Sequence, residues 1–293
     1  MSREPTRIIT AHRQTEGAGF IVRRPLPTAG FDGGDPFLLI DEMGPADYGP
    51  GEAIGAPDHP HRGFETVTYM LEGRFEHEDS AGHRGTIGPG DVQWMTAGAG
   101  IVHSEMPARH IREHGGRIHG FQIWVNLPAR DKMTRPRYQE IPAEGIPEVA
   151  TEDGTAKVRI IAGAALGKSA VIESHTPIVL QDWTLSPGAD VTVPVGPEHR
   201  AMVYVFGGEA KVGDGDGILS EGQLALLGDG DTVRLRGPAA GAGRALLLAG
   251  VPLSEPVARY GPFVMNTQRE ILEAMHDYQA GRLGEITRTA RTD

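Results

Sequence analysis

Two short segments of this chain carry side chains that could hold a metal ion. His59-Pro60-His61 sets two imidazoles two residues apart, and His103-Ser104-Glu105 sets an imidazole and a carboxylate at the same interval. Residues i and i+2 of an extended strand point to one side. Two facing strands would therefore bring three neutral nitrogens and one anionic oxygen together. That donor set suits a single divalent first-row metal such as iron, manganese, nickel, copper or zinc. Three or four protein ligands leave a coordination position for substrate, water or dioxygen. Pro60 donates no ladder hydrogen bond, as expected at a strand start or rim. An isolated His-x-His is more often a pair of ordinary histidines; the second pair is what points to a metal.

The rest of the composition narrows the chemistry. The chain has no cysteine, which excludes disulfides, thiolate zinc sites, iron–sulfur clusters and a cysteine nucleophile. Eight of its 12 histidines lie between 59 and 119. A net charge of −11, with no basic run, makes it a poor direct binder of nucleic acid. The N-terminal residues Met1 to Arg7 show no apolar signal core, and the longest apolar run, 245–253, is too short to cross a bilayer. The expectation is a soluble, cytoplasmic protein without a membrane partner.

Strands must position these ligands. The 293 residues include 41 glycines and 22 prolines, a turn-rich composition that excludes a helical bundle and fits an all-β protein. Alternating runs at 66–71, 74–78, 92–96, 101–106 and 117–127 read as strands. Residues 129–150 are polar and proline-punctuated, and read as a linker. A second run of strands, from about Val158 to Val251, repeats the first: Tyr69 to Gly73 resembles Tyr204 to Gly208, and Gly90 to Met95 resembles Gly222 to Leu227. The offsets of the four ligands fall in the second run on Pro194, Gly196, Leu235 and Gly237, so one metal is expected per chain. Thr267-Gln-Arg-Glu270 fits a capping box, opening one structural helix of about 13 residues whose Ile271, Leu272, Met275 and Tyr278 pack on a barrel.

The stretches Asp58 to Val67 and Gly88 to Pro107, with Gly261-Pro-Phe-Val-Met-Asn266 and Asp277 to Gly281 near the end, closely resemble the pirin family of bicupins. The resemblance implies two tandem cupin β-barrels with a short C-terminal α-helix. Its expected boundaries are an N-terminal metal-binding barrel at 1–128, a linker at 129–150, a C-terminal barrel without ligands at 151–260, and a helix and tail at 261–293. It implies a mononuclear metal, usually iron(II), on His59, His61, His103 and Glu105. General cupins draw their carboxylate from the first motif, which keeps Glu65 as an alternative ligand or a supporting residue. The family implies one of two functions. One is quercetin 2,3-dioxygenase activity on a flavonol or related aromatic enol, with Glu105 as catalytic base and dioxygen cleaving the ring with release of carbon monoxide. The other is a metal- or redox-sensing role with a regulatory protein partner and no turnover.

Other residues read more plainly. His77, Glu78 and Asp79 are expected on a solvated strand rim, and His110, Glu113 and His114 on a surface loop. His119 would line the pocket or support the ligands. Trp94 and Trp124 are expected in the core, and Phe64 near the pocket mouth.

Overall fold

The computed structural model describes residues 1–16, 19–28, 31 and 34–287. The chain forms two compact units, each built from two antiparallel sheets. In the unit that carries the histidines, a four-stranded sheet has the order Ala56–His61, Ile101–Pro107, Phe75–Asp79, Arg84–Ile87. A seven-stranded sheet begins with Arg137–Ile141, Val92–Thr96, Phe64–Glu72, Gly116–Asn126 and Phe37–Tyr48. The fold is two related β-barrels, as the internal repeat predicted, with the C-terminal helix that the capping box predicted, and so the tandem cupin plan that the resemblance implied.

The second unit repeats this plan strand for strand. Its four-stranded sheet runs Asp190–Pro194, Thr232–Arg236, Glu209–Val212, Ile218–Ser220. The strands equivalent to the ligand carriers bury Val191, Val193, Val233 and Leu235 in one aliphatic core. Of the positions expected from spacing alone, Leu235 is in that core.

The order of the sequence is not the order in space. Residues 1–12, 23–38 and 144–253 make up one unit, and 13–22, 39–143 and 254–293 the other. The first strand, Pro5–Thr10, pairs antiparallel with Gln223–Leu227, Ile8 opposite Ala225, and so belongs to the second barrel's sheet. The stretch expected to be a linker contains two strands. Arg137–Ile141 pairs with Val92–Thr96, and Glu148–Ala150 with Ala156–Ala162.

The helix Gln268–Gln279 belongs to the histidine-bearing unit. Its capping box forms as expected, with Glu270 N donating to Thr267 Oγ1 (3.3 Å) and Thr267 N donating to Glu270 Oε2 (2.8 Å). The buried face is Ile271 and Ala274, with Met275 beside them, packed on Val102, Phe263 and Met265. Leu272 and Tyr278 stay exposed, so the packing stripe is narrower than the sequence indicated. Arg62, next to His61, donates to Ala99 O at 2.6 Å and pairs with Asp277 at 2.9 Å. The helix is thereby tied to the strand end that presents the histidines. Among the described residues, no helix is long and apolar enough to cross a membrane.

Candidate metal centre

His59 and His61 end one strand, and His103 lies on the next. In the antiparallel register His103 faces His59 and Ile101 faces His61. The three imidazoles each bring a nitrogen to within 4.8 Å of the others. His59 Nε2 and His61 Nε2 are 3.0 Å apart. Two nitrogens at about 2 Å from one ion stand about 3 Å from each other, so this spacing fits shared coordination.

The protonation states favour metal binding. His59 Nδ1 lies 2.8 Å from Pro57 O. Donation there uses the one N–H of a neutral imidazole and leaves Nε2 a bare lone pair. Burial, then the neighbouring His59, holds the pKa of His61 well below the usual histidine range. Burial, then His59, His61 and His77, does the same for His103. His103 is fully buried, and neither of its ring nitrogens has a hydrogen-bond partner among the described residues. An orphaned buried polar atom costs about 1–3 kcal/mol. A metal ion at the triad would satisfy one of the two. The residues present therefore fit the group that the fold family implies.

This arrangement has a pH signature. Below about pH 6.5 the unfolded chain takes up protons at these two positions while the native state resists them. The native state thus binds fewer protons, and stability falls as pH drops. The slope is up to about 1.4 kcal/mol per pH unit for each histidine, and it vanishes above that point. Urea unfolding of metal-free protein at about pH 5 and about pH 7.5 should show this loss; equal stabilities would contradict it.

Glu105 is outside the tight group. The pairing shifts register between His103 and Glu105, and Glu105 faces Ala56, where an unshifted ladder would set it opposite Pro57. Its carboxylate is instead 2.9 Å from the hydroxyl of Thr68, which donates to Oε1. It is half-buried, on the same side of its strand as His103. Glu65 lies elsewhere. Phe64, whose ring centre is 5.1 Å from that of His61, and Thr68 share one face of their strand, and Glu65 falls on the opposite face. There its Oε1 accepts from Thr96 Oγ1 at 2.7 Å.

The remaining surroundings differ from the expectation in three places. His77 and Asp79 are buried, not on a solvated rim: His77 Nε2 is 2.5 Å from Glu140 Oε1, and Asp79 accepts from the backbone of Ala81 and His83. Trp94 is core, but Trp124 is only half-buried. Its ring centre stands 5.3 Å from His61 and 4.3 Å from Phe64, with the Arg259 guanidinium 4.8 Å from it. Trp124 and Arg259 flank the site, whereas Phe64 is fully buried behind Trp124 rather than at a pocket mouth; a hydrophobic residue beside a ligand motif gives no signal of its exposure. His119 pairs with Glu42 at 2.8 Å and is not among the triad. His110 and His114 are exposed on the short helix Arg109–His114, as expected of a surface segment.

Comparisons with known proteins agree with this geometry. Residues 19–125 match the Pirin family model, and residues 180–284 match that of the Pirin C-terminal cupin domain. A pirin-like protein from Solanum lycopersicum is 45% identical over 94% of this chain and 91% of its own. Pirin from Homo sapiens is 41% identical over 97% of this chain and 94% of its own. The crystal structure of a quercetin 2,3-dioxygenase from Acinetobacter baumannii superposes with a TM-score of 0.91 at 38% identity, covering 98% of this chain and all of that one. With two repeated barrels, a histidine triad in the first of them and relatives matched over nearly its whole length, the chain belongs to the pirin family of the cupin superfamily.

Proposed function

We propose that this protein is a metal-dependent dioxygenase acting on a flavonol or a related aromatic enol, with His59, His61, His103 and Glu105 holding the ion. The observation that carries this reading is the wall of the site. His61 and His103 are buried, whereas His59, Glu105 and Trp124 are partly exposed, which supports a site that is open to solvent rather than sealed. A structural metal site would be closed. The likeness to the quercetin 2,3-dioxygenase from Acinetobacter baumannii supports the substrate class.

Each residue then has a task. The partly exposed ring of Trp124, backed by the buried Phe64, suits a planar aromatic substrate. Glu105 takes the substrate hydroxyl proton, giving an electron-rich enolate. The guanidinium of Arg259, exposed beside Trp124, favours an anion at the lip. An ion held by His59, His61, His103 and Glu105 would supply Lewis acidity and one-electron chemistry. Oxygen atoms from dioxygen enter the ring, which opens and releases carbon monoxide.

The test is to add quercetin to the metal-loaded protein without oxygen, then admit oxygen and measure carbon monoxide. Release at one equivalent per substrate consumed is expected. Metal-loaded protein that turns over no flavonol would overturn the reading. Arg259→Ala should raise KM for a flavonol roughly fivefold and leave kcat nearly unchanged, because about 1 kcal/mol of binding is lost away from the reacting atoms. An unchanged KM in steady-state kinetics would remove Arg259 from the recognition surface.

A further inference from the structure

A belt of polar side chains, one from each of six strands, runs through the histidine-bearing barrel from its buried members out to the exposed Glu140. In the seven-stranded sheet, Glu140 faces Gln93, Gln93 faces Thr68, and Thr68 faces Gln122. In the four-stranded sheet, Glu105 faces His77. Two side-chain contacts join the sheets. Thr68 Oγ1 is 2.9 Å from Glu105 Oε1, and His77 Nε2 is 2.5 Å from Glu140 Oε1. Gln93 Nε2 donates to the same Glu140 oxygen at 3.0 Å. Thr68, Gln93 and His77 are all buried.

The equivalent strands of the second barrel bury only apolar side chains, among them Val203, Val205, Ala225, Ala245, Leu247, Ala210, Val212 and Leu235. Burying polar groups costs free energy unless each is paired, so an apolar lumen is the stable default. The belt is accommodated deliberately: a Cβ on Gly85 would come within 2.5 Å of His77 Nε2 and 3.0 Å of both Glu140 oxygens. Only a glycine on that edge strand lets His77 reach across to Glu140.

We infer that Thr68 is a positioning residue that holds Glu105 in place as the fourth metal ligand, and that Gln122 orients Thr68 for this. The hydroxyl has one proton and lies 2.9 Å from both Glu105 Oε1 and Gln122 Oε1. Turning the Gln122 amide end for end presents its NH₂ to the hydroxyl and leaves the proton for Glu105. One carboxylate oxygen is then fixed, and the other is free to turn toward the triad. Glu105 needs this help because it lies outside the tight histidine group, with its carboxylate turned to Thr68. The inference rests on the metal-site reading above, and extends it to residues that touch no metal.

The test is a double-mutant cycle on the full chain, titrating metal-free protein with cobalt(II) and recording affinity and the visible spectrum. Thr68→Val keeps the shape and removes the hydroxyl, and should weaken binding about 10–100-fold, with Thr68→Ser restoring it. In a Glu105→Gln background, Thr68→Val should cost no further affinity, because it acts through Glu105. Gln122→Leu, at a half-buried position that tolerates the change, should weaken binding by a smaller factor. Wild-type affinity and spectrum in Thr68→Val, or additive losses in the double mutant, would overturn the inference. Wild-type protein that binds no cobalt would instead overturn the metal-site reading itself.

Discussion

His103→Ala protein should retain no metal after dialysis against a weak chelator, while the wild type should keep one ion per chain. His103 is the triad member that is fully enclosed and has neither nitrogen paired, so nothing else among the described residues competes for its lone pair. Losing a direct ligand should exceed the roughly 10–100-fold loss typical of residues that only support one. The metal-free variant should nonetheless stay folded. Truncating a buried ring leaves a cavity, but it also removes two unsatisfied polar atoms worth about 1–3 kcal/mol each, and the terms oppose each other. Elemental analysis with circular dichroism separates these effects. Metal at wild-type stoichiometry in the folded variant would exclude His103 as a ligand.

Gly63→Ala should cause the largest loss of stability. Gly63 sits two residues after His61 with φ at +89°, a conformation costing a side chain about 1–2 kcal/mol. A Cβ there would come 2.0 Å from Val264 O, a backbone atom that cannot swing aside. The same carbonyl and Gly63 O accept from Lys132 Nζ at 3.0 and 2.9 Å, and Asn126 Oδ1 accepts from it at 2.7 Å. Burial pushes this lysine down to about 8. Relieving the clash would move the carbonyls away from that buried cation. With overpacking added, the expected cost is about 3–5 kcal/mol. A chain of this size would show it as a fall in Tm of about 2–4 °C per kcal/mol. A Tm within experimental error of the wild type would show that the Phe263–Met265 segment is not held as described.

The parts of the molecule that were legible in the sequence are those where one residue type answers to one constraint. The His-x-His and His-x-Glu spacing identified the strands that carry the triad, since side chains alternate along any strand. The Tyr-to-Gly repeat foretold two barrels, because glycine is needed at the same turn in each. Thr267 and Glu270 fixed the start of the helix through local hydrogen bonds alone.

What stayed hidden depends on partners distant in sequence. The Arg137–Ile141 strand has no alternation of apolar and polar residues, because none of its side chains is fully buried; Glu140 reaches the buried His77 from an exposed position, and such a residue looks like a loop residue. His77 was placed on a rim for the same reason. The contact of Glu105 with Thr68 joins strands of two different sheets, which neither strand's own sequence encodes. Pairing of Pro5–Thr10 with a strand beyond residue 220 likewise has no local signal.

The central claim, one metal ion on the three histidines and Glu105, is tested most directly by X-ray absorption on full-length protein loaded with iron(II) without oxygen. The account predicts one ion per chain, three imidazole nitrogens and a carboxylate oxygen in its inner shell, and loss of the oxygen contribution in Glu105→Gln. An ion with fewer than three imidazoles, or a spectrum unchanged in that variant, would contradict it.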